Sequence, residues 1–201
     1  MDRGGRTFRK ILVALGLLAI LVAVAIGIAQ APDSGDSGAG NPESAASEED
    51  FEKALADAPP RLAAIYEQGD ALLPGGVDAL DAEIANLRGF PVVVNAWGSW
   101  CAPCRAELPH FQRAAMEFGD RVAFLGVNTE DSEDAALTFL EEVPLPFPSY
   151  QDFDGDVRSE WHPRGLPATR FYDSSGEVVY LRDGPYLTEE ELEDDIRRYA
   201  S

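Results

Sequence analysis

The residues best suited to chemistry lie in one short stretch, Trp100-Cys101-Ala102-Pro103-Cys104, which holds both cysteines of the 201-residue chain. A Cys-x-x-Cys pair at the start of a helix suits thiol–disulfide exchange. Unpaired backbone N–H groups and the helix dipole stabilise a thiolate at the first cysteine. The two-residue spacer lets the second cysteine attack a mixed disulfide formed on the first. Pro103 fits a first helical turn, where a missing N–H costs nothing. A structural disulfide is the plain alternative. A zinc site lacks ligands, because only His110 and His162 accompany the two cysteines and no second Cys-x-x-Cys exists. Covalent haem attachment requires histidine after the second cysteine, and Arg105 stands there.

Elements that position this pair follow from patterning. Val92 to Trp97 is a short apolar run rich in β-branched residues and suits a strand buried on both faces. A helix fits Ala102 to Phe118, a strand Val122 to Val127, and a helix capped by Ser132 runs to about Val143, with Glu133 and Asp134 in its first turn. Thr169 to Tyr172 and Val178 to Leu181 alternate as strands around Asp173-Ser174-Ser175-Gly176, a hairpin signal. Thr188 caps a final helix, Glu189 to Tyr199. Upstream, Phe51, Leu55, Leu62, Ile65 and Tyr66 recur at helical spacing, broken by Pro59-Pro60, and a further helix fits Val77 to Leu87. The first half predicts parallel strands with crossover helices and the last pair an antiparallel edge.

The amino-terminal region has a different character. Ile11 to Ala29 consists only of Ile, Leu, Val, Ala and Gly. As a helix it would span about 28 Å, close to a bilayer core of about 30 Å. Residues 1–10 are basic, which places them in the cytoplasm if 11–29 is a transmembrane anchor. A cleaved secretory signal ending near Ala29-Gln30-Ala31 is the alternative, and both readings put the body outside the cytoplasm. Residues 30–50 are rich in Gly, Ser, Pro and acids and read as a flexible acidic linker to a domain over 51–201. The net charge of −20, with a pI near 4.3 and a mean hydropathy of −0.17, argues against a nucleic-acid partner, since phosphate binding needs clustered Lys and Arg.

Two stretches, PVVVNAWGSWCAPCRAELP (91–109) and GLPATRFYDSSGEVV (165–179), resemble the TlpA/ResA-like family of thioredoxin-fold thiol–disulfide oxidoreductases, over roughly residues 58–200. The resemblance implies an α/β thioredoxin-like fold, a mixed central sheet flanked by helices, tethered outside the bacterial cytoplasmic membrane by a single-pass helix. It makes Cys101 the exposed nucleophile and Cys104 the buried resolving thiol. Pro167 matches a cis-proline that faces the cysteines and binds an extended substrate backbone. Leu166 and Trp100 join it as substrate-binding candidates. Pro109 matches a helix-kinking proline. Glu107, three residues after Cys104, matches an acid that moves a proton to and from that thiol. Its plain reading is an exposed helix-surface glutamate. Asn95 stands where cytoplasmic thioredoxins have a buried Asp, which leaves Glu107 as the proton acceptor.

The implied activity is reduction of extracytoplasmic protein disulfides, including the cysteine pair of apocytochromes c. Electrons would arrive from a membrane thiol reductase, and no cofactor would be needed beyond the Cys101–Cys104 couple. A disulfide-forming oxidase or isomerase, a peroxiredoxin-type peroxidase and a non-catalytic binding module are the competing classes. Arg170 departs from the family's apolar pattern, implying either an exposed edge strand or an acid partner. His110 and His162 read as surface residues and Trp161 as packing.

Overall fold

The computed structural model describes residues 47–200. The chain divides into two units, 1–42 and 43–201, and the described residues all belong to the second. The anchor expected at 11–29 lies outside the described residues. Among the described residues no helix is long and apolar enough to cross a membrane.

The described chain begins with α1 (Glu48–Leu55) and α2 (Pro60–Tyr66), then β1 (Leu72–Leu73) and α3 (Gly76–Asn86). The central strand β2 (Val92–Trp97) leads into α4 (Ala102–Phe118), β3 (Ala123–Thr129) and α5 (Glu133–Glu142). The final part comprises β4 (Ser149–Asp152), α6 (Asp156–Trp161), β5 (Ala168–Tyr172), β6 (Val178–Asp183) and α7 (Glu189–Tyr199). The six strands form one sheet in the order β1-β4-β3-β2-β5-β6. Pairings β1–β4, β4–β3 and β3–β2 are parallel, whereas β2–β5 and β5–β6 are antiparallel. This is the thioredoxin-like mixed sheet.

Local chemistry accounts for the boundaries. Ser132 and Thr188 accept the backbone N–H of Ala135 and Glu191, both at 3.3 Å, and so cap α5 and α7. Three glutamates open α7 and Arg197 and Arg198 close it, matching the helix dipole. Every β2 residue is buried, because helices cover both faces: α4 packs with α1 and α7, and α3 with α6. In the β5–β6 hairpin, Asp173 Oδ1 accepts N–H groups from Ser175 (2.8 Å) and Glu177 (3.1 Å). Helix α4 passes through Pro109 without ending.

Several expectations need correction. Helix α1 starts at Glu48, inside the segment read as linker. Ser47 and Asp50 form a reciprocal capping box there (Ser47 N–H to Asp50 at 2.9 Å), which a composition reading overlooks. Strand β3 runs two residues beyond Val127. Elements β1, β4 and α6 carry no sequence pattern that announces them. The polar strand Ser-Tyr-Gln-Asp of β4 exists because β1 and β3 flank it. The six-residue helix α6 starts where the buried Asp152 carboxylate accepts the N–H of Asp156 (2.7 Å) and Val157 (3.1 Å). Arg170 is not on an edge, since β5 lies between β2 and β6. Its guanidinium meets Glu160 at 3.1 Å and lies 4.6 Å from the Trp161 ring centroid. Trp161 is buried and His162 exposed, while His110 is half-buried, its Nδ1 2.8 Å from Arg113.

Candidate active site

The sheet gathers four loops at one end. In β2, Ala96 pairs with Ala168 of β5, and Trp97 with Asn128 of β3. Ala168 also pairs with Asp183 of β6. The chain therefore leaves the sheet at this end at 98–101, 130–132 and 184–188 and enters it there at 165–167. Cys101, Leu166, Pro167 and Trp100 all belong to this set.

Cys101 is the N-cap of α4, and its Sγ accepts the Cys104 N–H at 3.3 Å. The two cysteines are joined in a disulfide. The nucleophile was expected to be exposed, yet Cys101 shows only 5% of its surface and Cys104 none. In this oxidised form the Cys101 sulfur is bonded to Cys104 and turned toward the first turn of α4, which accounts for the difference. Cys101 remains the more accessible of the two. Gly98 is required just before it, because a Cβ there would come within 2.7 Å of the Trp100 indole nitrogen. Trp100 is 56% exposed, and its Nε1–H donates to the Glu130 carbonyl at 2.9 Å.

The peptide bond Leu166–Pro167 is cis. Pro167 is buried and Leu166 half-buried. The Pro167 carbonyl accepts the Gly184 N–H at 3.0 Å, tying this turn to the end of β6.

Glu107 is fully buried, not a helix-surface residue. Its Oε1 accepts Asn95 Nδ2–H at 2.8 Å and its Oε2 accepts the Tyr186 backbone N–H at 2.8 Å. Burial raises its pKa from the ordinary 4.5 to about 7, against the opposing pull of the Tyr186 and Asn95 donors and the Arg182 charge. Such a carboxyl exchanges a proton near neutrality, as a general acid–base must. Asn95 also donates to Thr169 Oγ1 at 3.2 Å, while its own carbonyl oxygen has no partner. Glu107, Asn95 and Thr169 thus form a buried polar group in the same helix–sheet layer as Cys104. Among the described residues no cluster of His, Cys, Asp or Glu is arranged to hold a metal ion.

Three contributors escaped the sequence reading. Tyr186 acts through its main chain, which any residue but proline supplies, so no pattern marks it. Thr169 is marked by the sequence only as a strand residue. Asp131 accepts Ser99 N–H at 2.6 Å and Ser99 Oγ–H at 2.9 Å, yet among 36 acids nothing in its spacing singles it out.

A family model described as the AhpC/TSA family matches residues 73–181, just over half of the chain. The chain belongs to the AhpC/TSA family. Within it, relatives place this AhpC/TSA member among the TlpA/ResA-like proteins. The thiol-disulfide oxidoreductase ResA of Oceanobacillus iheyensis is 31% identical over 137 residues, covering 64% of this chain and 71% of the relative. The thiol:disulfide interchange protein DsbE homolog of Paracoccus denitrificans is 38% identical over 123 residues, 61% of this chain. The chain spans 65% of that relative, slightly under two thirds. A secreted Mycobacterium tuberculosis disulfide oxidoreductase homologous to E. coli DsbE superposes with a TM-score of 0.51 at 28% identity, over 57% of this chain and 85% of that one.

Proposed function

We propose that this protein is a membrane-anchored, extracytoplasmic thiol–disulfide oxidoreductase that reduces protein disulfides. The observation that carries the reading is a Cys101–Cys104 disulfide at a helix N-terminus, with a buried carboxyl, Glu107, titrating near 7 one turn further along the same helix. In the reduced protein, the Cys101 thiolate attacks one sulfur of the substrate disulfide. The substrate S–S bond breaks, a mixed disulfide forms, and one substrate thiolate leaves and takes a proton. Glu107 then accepts the Cys104 proton, and the Cys104 thiolate attacks Cys101 Sγ. The second substrate thiolate leaves, and Glu107 delivers the proton needed to neutralise it. Two electrons have passed to the substrate and the protein is left oxidised. A dithiol on a membrane reductase restores it by the reverse exchange.

The relatives' names support disulfide interchange, the apolar run at 11–29 supports an extracytoplasmic location, and the resemblance to the TlpA/ResA-like proteins supports a role on the cysteine pair of apocytochromes c. The opposite direction, disulfide insertion, uses the same two sulfurs. The 62 residues between Cys104 and Pro167 hold the rest of α4, β3, α5, β4 and the short α6, with no added helical domain of the kind large oxidases carry. A peroxidase of the peroxiredoxin type would need a single peroxidatic cysteine in a Thr- or Pro-flanked loop, whereas Cys101 follows Trp100 in a vicinal Cys-x-x-Cys pair.

Two measurements test the proposal. Cys104→Ser should accumulate a mixed disulfide at Cys101 whose partner can be identified, apocytochrome c being the expected capture. The reduction potential should lie near that of thioredoxin, about −270 mV; a value near about −120 mV would make the protein an oxidant and overturn the assigned direction.

A further inference from the structure

The turn between β3 and α5 is built differently from an ordinary connection. Glu130 has a φ of +52°, a left-handed conformation that non-glycine residues adopt only when the surroundings impose it. Three contacts impose it here. The Glu130 N–H donates to the Asp152 carbonyl at 2.9 Å. Its carboxylate meets Arg158 at 2.7 Å. Its side chain lies against Gly155, where a Cβ would approach to 2.9 Å.

The result of this strained turn is a pair of acceptors aimed at the loop before Cys101. The Glu130 carbonyl receives the Trp100 indole N–H. The Asp131 carboxylate receives four donors: Ser99 N–H at 2.6 Å, and Ser99 Oγ–H, Asn128 Nδ2–H and Ser132 N–H, each at 2.9 Å. Asn128 is fully buried in β3, so the carboxylate is fixed from the sheet as well as from the start of α5. Burial opposes its ionisation, but the four donors outweigh that, and its pKa falls below the ordinary carboxylate value. Asp131 therefore stays charged wherever a thiolate is available.

Trp100 needs such a device. It is the one exposed indole of the protein, since Trp97 and Trp161 are buried, and its packing against Gly98 covers only part of the ring. We propose that Asp131 is a positioning residue: by clamping Ser99, with the Glu130 carbonyl clamping the indole, it keeps Trp100 as a preformed platform for the polypeptide on which the target disulfide sits. Ordering this side chain before encounter removes a cost that binding would otherwise carry. The benefit falls on substrates with a peptide chain to lay against the indole, and not on small disulfides that need only reach the sulfur. The inference rests on the reductase reading above.

The test compares wild type, Asp131→Ala and Asp131→Asn in the reduction of insulin, a protein disulfide, and of 5,5′-dithiobis(2-nitrobenzoate), a small one. For Asp131→Ala, KM for insulin should rise about tenfold, with kcat and the small-disulfide rate within about twofold of wild type. Asp131→Asn, which keeps an acceptor for Ser99, should fall between. Acrylamide quenching of tryptophan emission should increase in Asp131→Ala and lose that increase in the background of Trp100→Phe. Equal slowing of both substrates, or an unchanged KM for insulin, overturns the clamp. If Asp131→Ala does not fold, Ser99→Ala, which removes one of the four donors, carries the same comparison at reduced amplitude. Wild type inactive on both substrates would instead sink the reductase reading, and the quenching measurement would still decide the clamp.

Discussion

Two carboxylates serve the same end of the sheet and are treated in opposite ways. Glu107, inside the protein, has two hydrogen-bond donors and full burial, and its pKa rises to about 7. Asp131, near the surface, has four donors and only partial burial, and its pKa falls. Desolvation disfavours the charge in both, and the balance between depth of burial and number of donors decides which effect wins. On the proposed roles, the under-supplied carboxylate is the proton carrier and the saturated one the strut. Glu107 lies one turn after Cys104 and Asp131 holds Ser99, two residues before Cys101, so the two environments flank the same short motif.

The contrast can be broken most directly at the sulfurs. Cys101→Ser should abolish disulfide reduction outright, measured by insulin turbidity; surviving activity would mean that neither carboxylate serves this chemistry. Next in size, Glu107→Gln should slow reduction above pH 7 by about 100-fold and remove the inflection near 7 from the pH–rate profile. Asp131→Asn should leave that inflection in place. A shared pH response would mean that the two acids are not separate in role.

Stability against pH sharpens the same point with opposite signs. The folded pKa of Glu107 exceeds its unfolded value, so its neutral form is favoured by folding. That contribution is complete below about 4.5 and is lost as pH rises through about 7. The shift corresponds to about 3 kcal/mol. Urea unfolding from pH 4.5 to 8 should therefore show a decline that is absent in Glu107→Gln. For Asp131 the folded pKa lies below the unfolded one. Its contribution is present above the ordinary carboxylate range and is lost as pH falls through the folded value. Asp131→Asn should accordingly flatten only the acid end of the curve.

The smallest effect concerns Arg170 and Glu160, a pair remote in role from either acid. The arginine side chain is 13% exposed and the glutamate 44%. Glu160→Gln should cost less than about 1 kcal/mol. Arg170→Ala should cost more, because the guanidinium also stacks on Trp161. Thermal unfolding of the two variants checks the order.

The same contrast marks what could be read from the amino acids alone. Helices α4 and α7 were legible to the residue, because a Cys-x-x-Cys with proline in the first turn and a Thr188 cap mark their starts. Glu107 stood out by its place one turn after Cys104. Its partners were partly legible: Asn95 from its strand position, Tyr186 not at all, since it offers only an N–H. Asp131 was invisible, because its meaning depends on Ser99 arriving from 32 residues away. Strand β4 was hidden for a related reason. Its residues are polar, and it is a strand only by virtue of the strands beside it.

The sheet order has a consequence for how a lineage can modify such a protein. The loop carrying Tyr186 follows β6, and the turn carrying Asp131 follows β3, with β2 and β5 between them. Each holds its own carboxylate's side of the site and neither touches the other through a shared hydrogen bond. On the proposed roles, mutations at Tyr186 act on the proton-carrying carboxyl, whereas Gly184, in the same loop, also holds the cis-proline turn through the Pro167 carbonyl. Under the proposed clamp, mutations at 130–132 should change which polypeptides are accepted. Selection can then act on rate and on clientele through two stretches of the gene that overlap only where Gly184 meets Pro167.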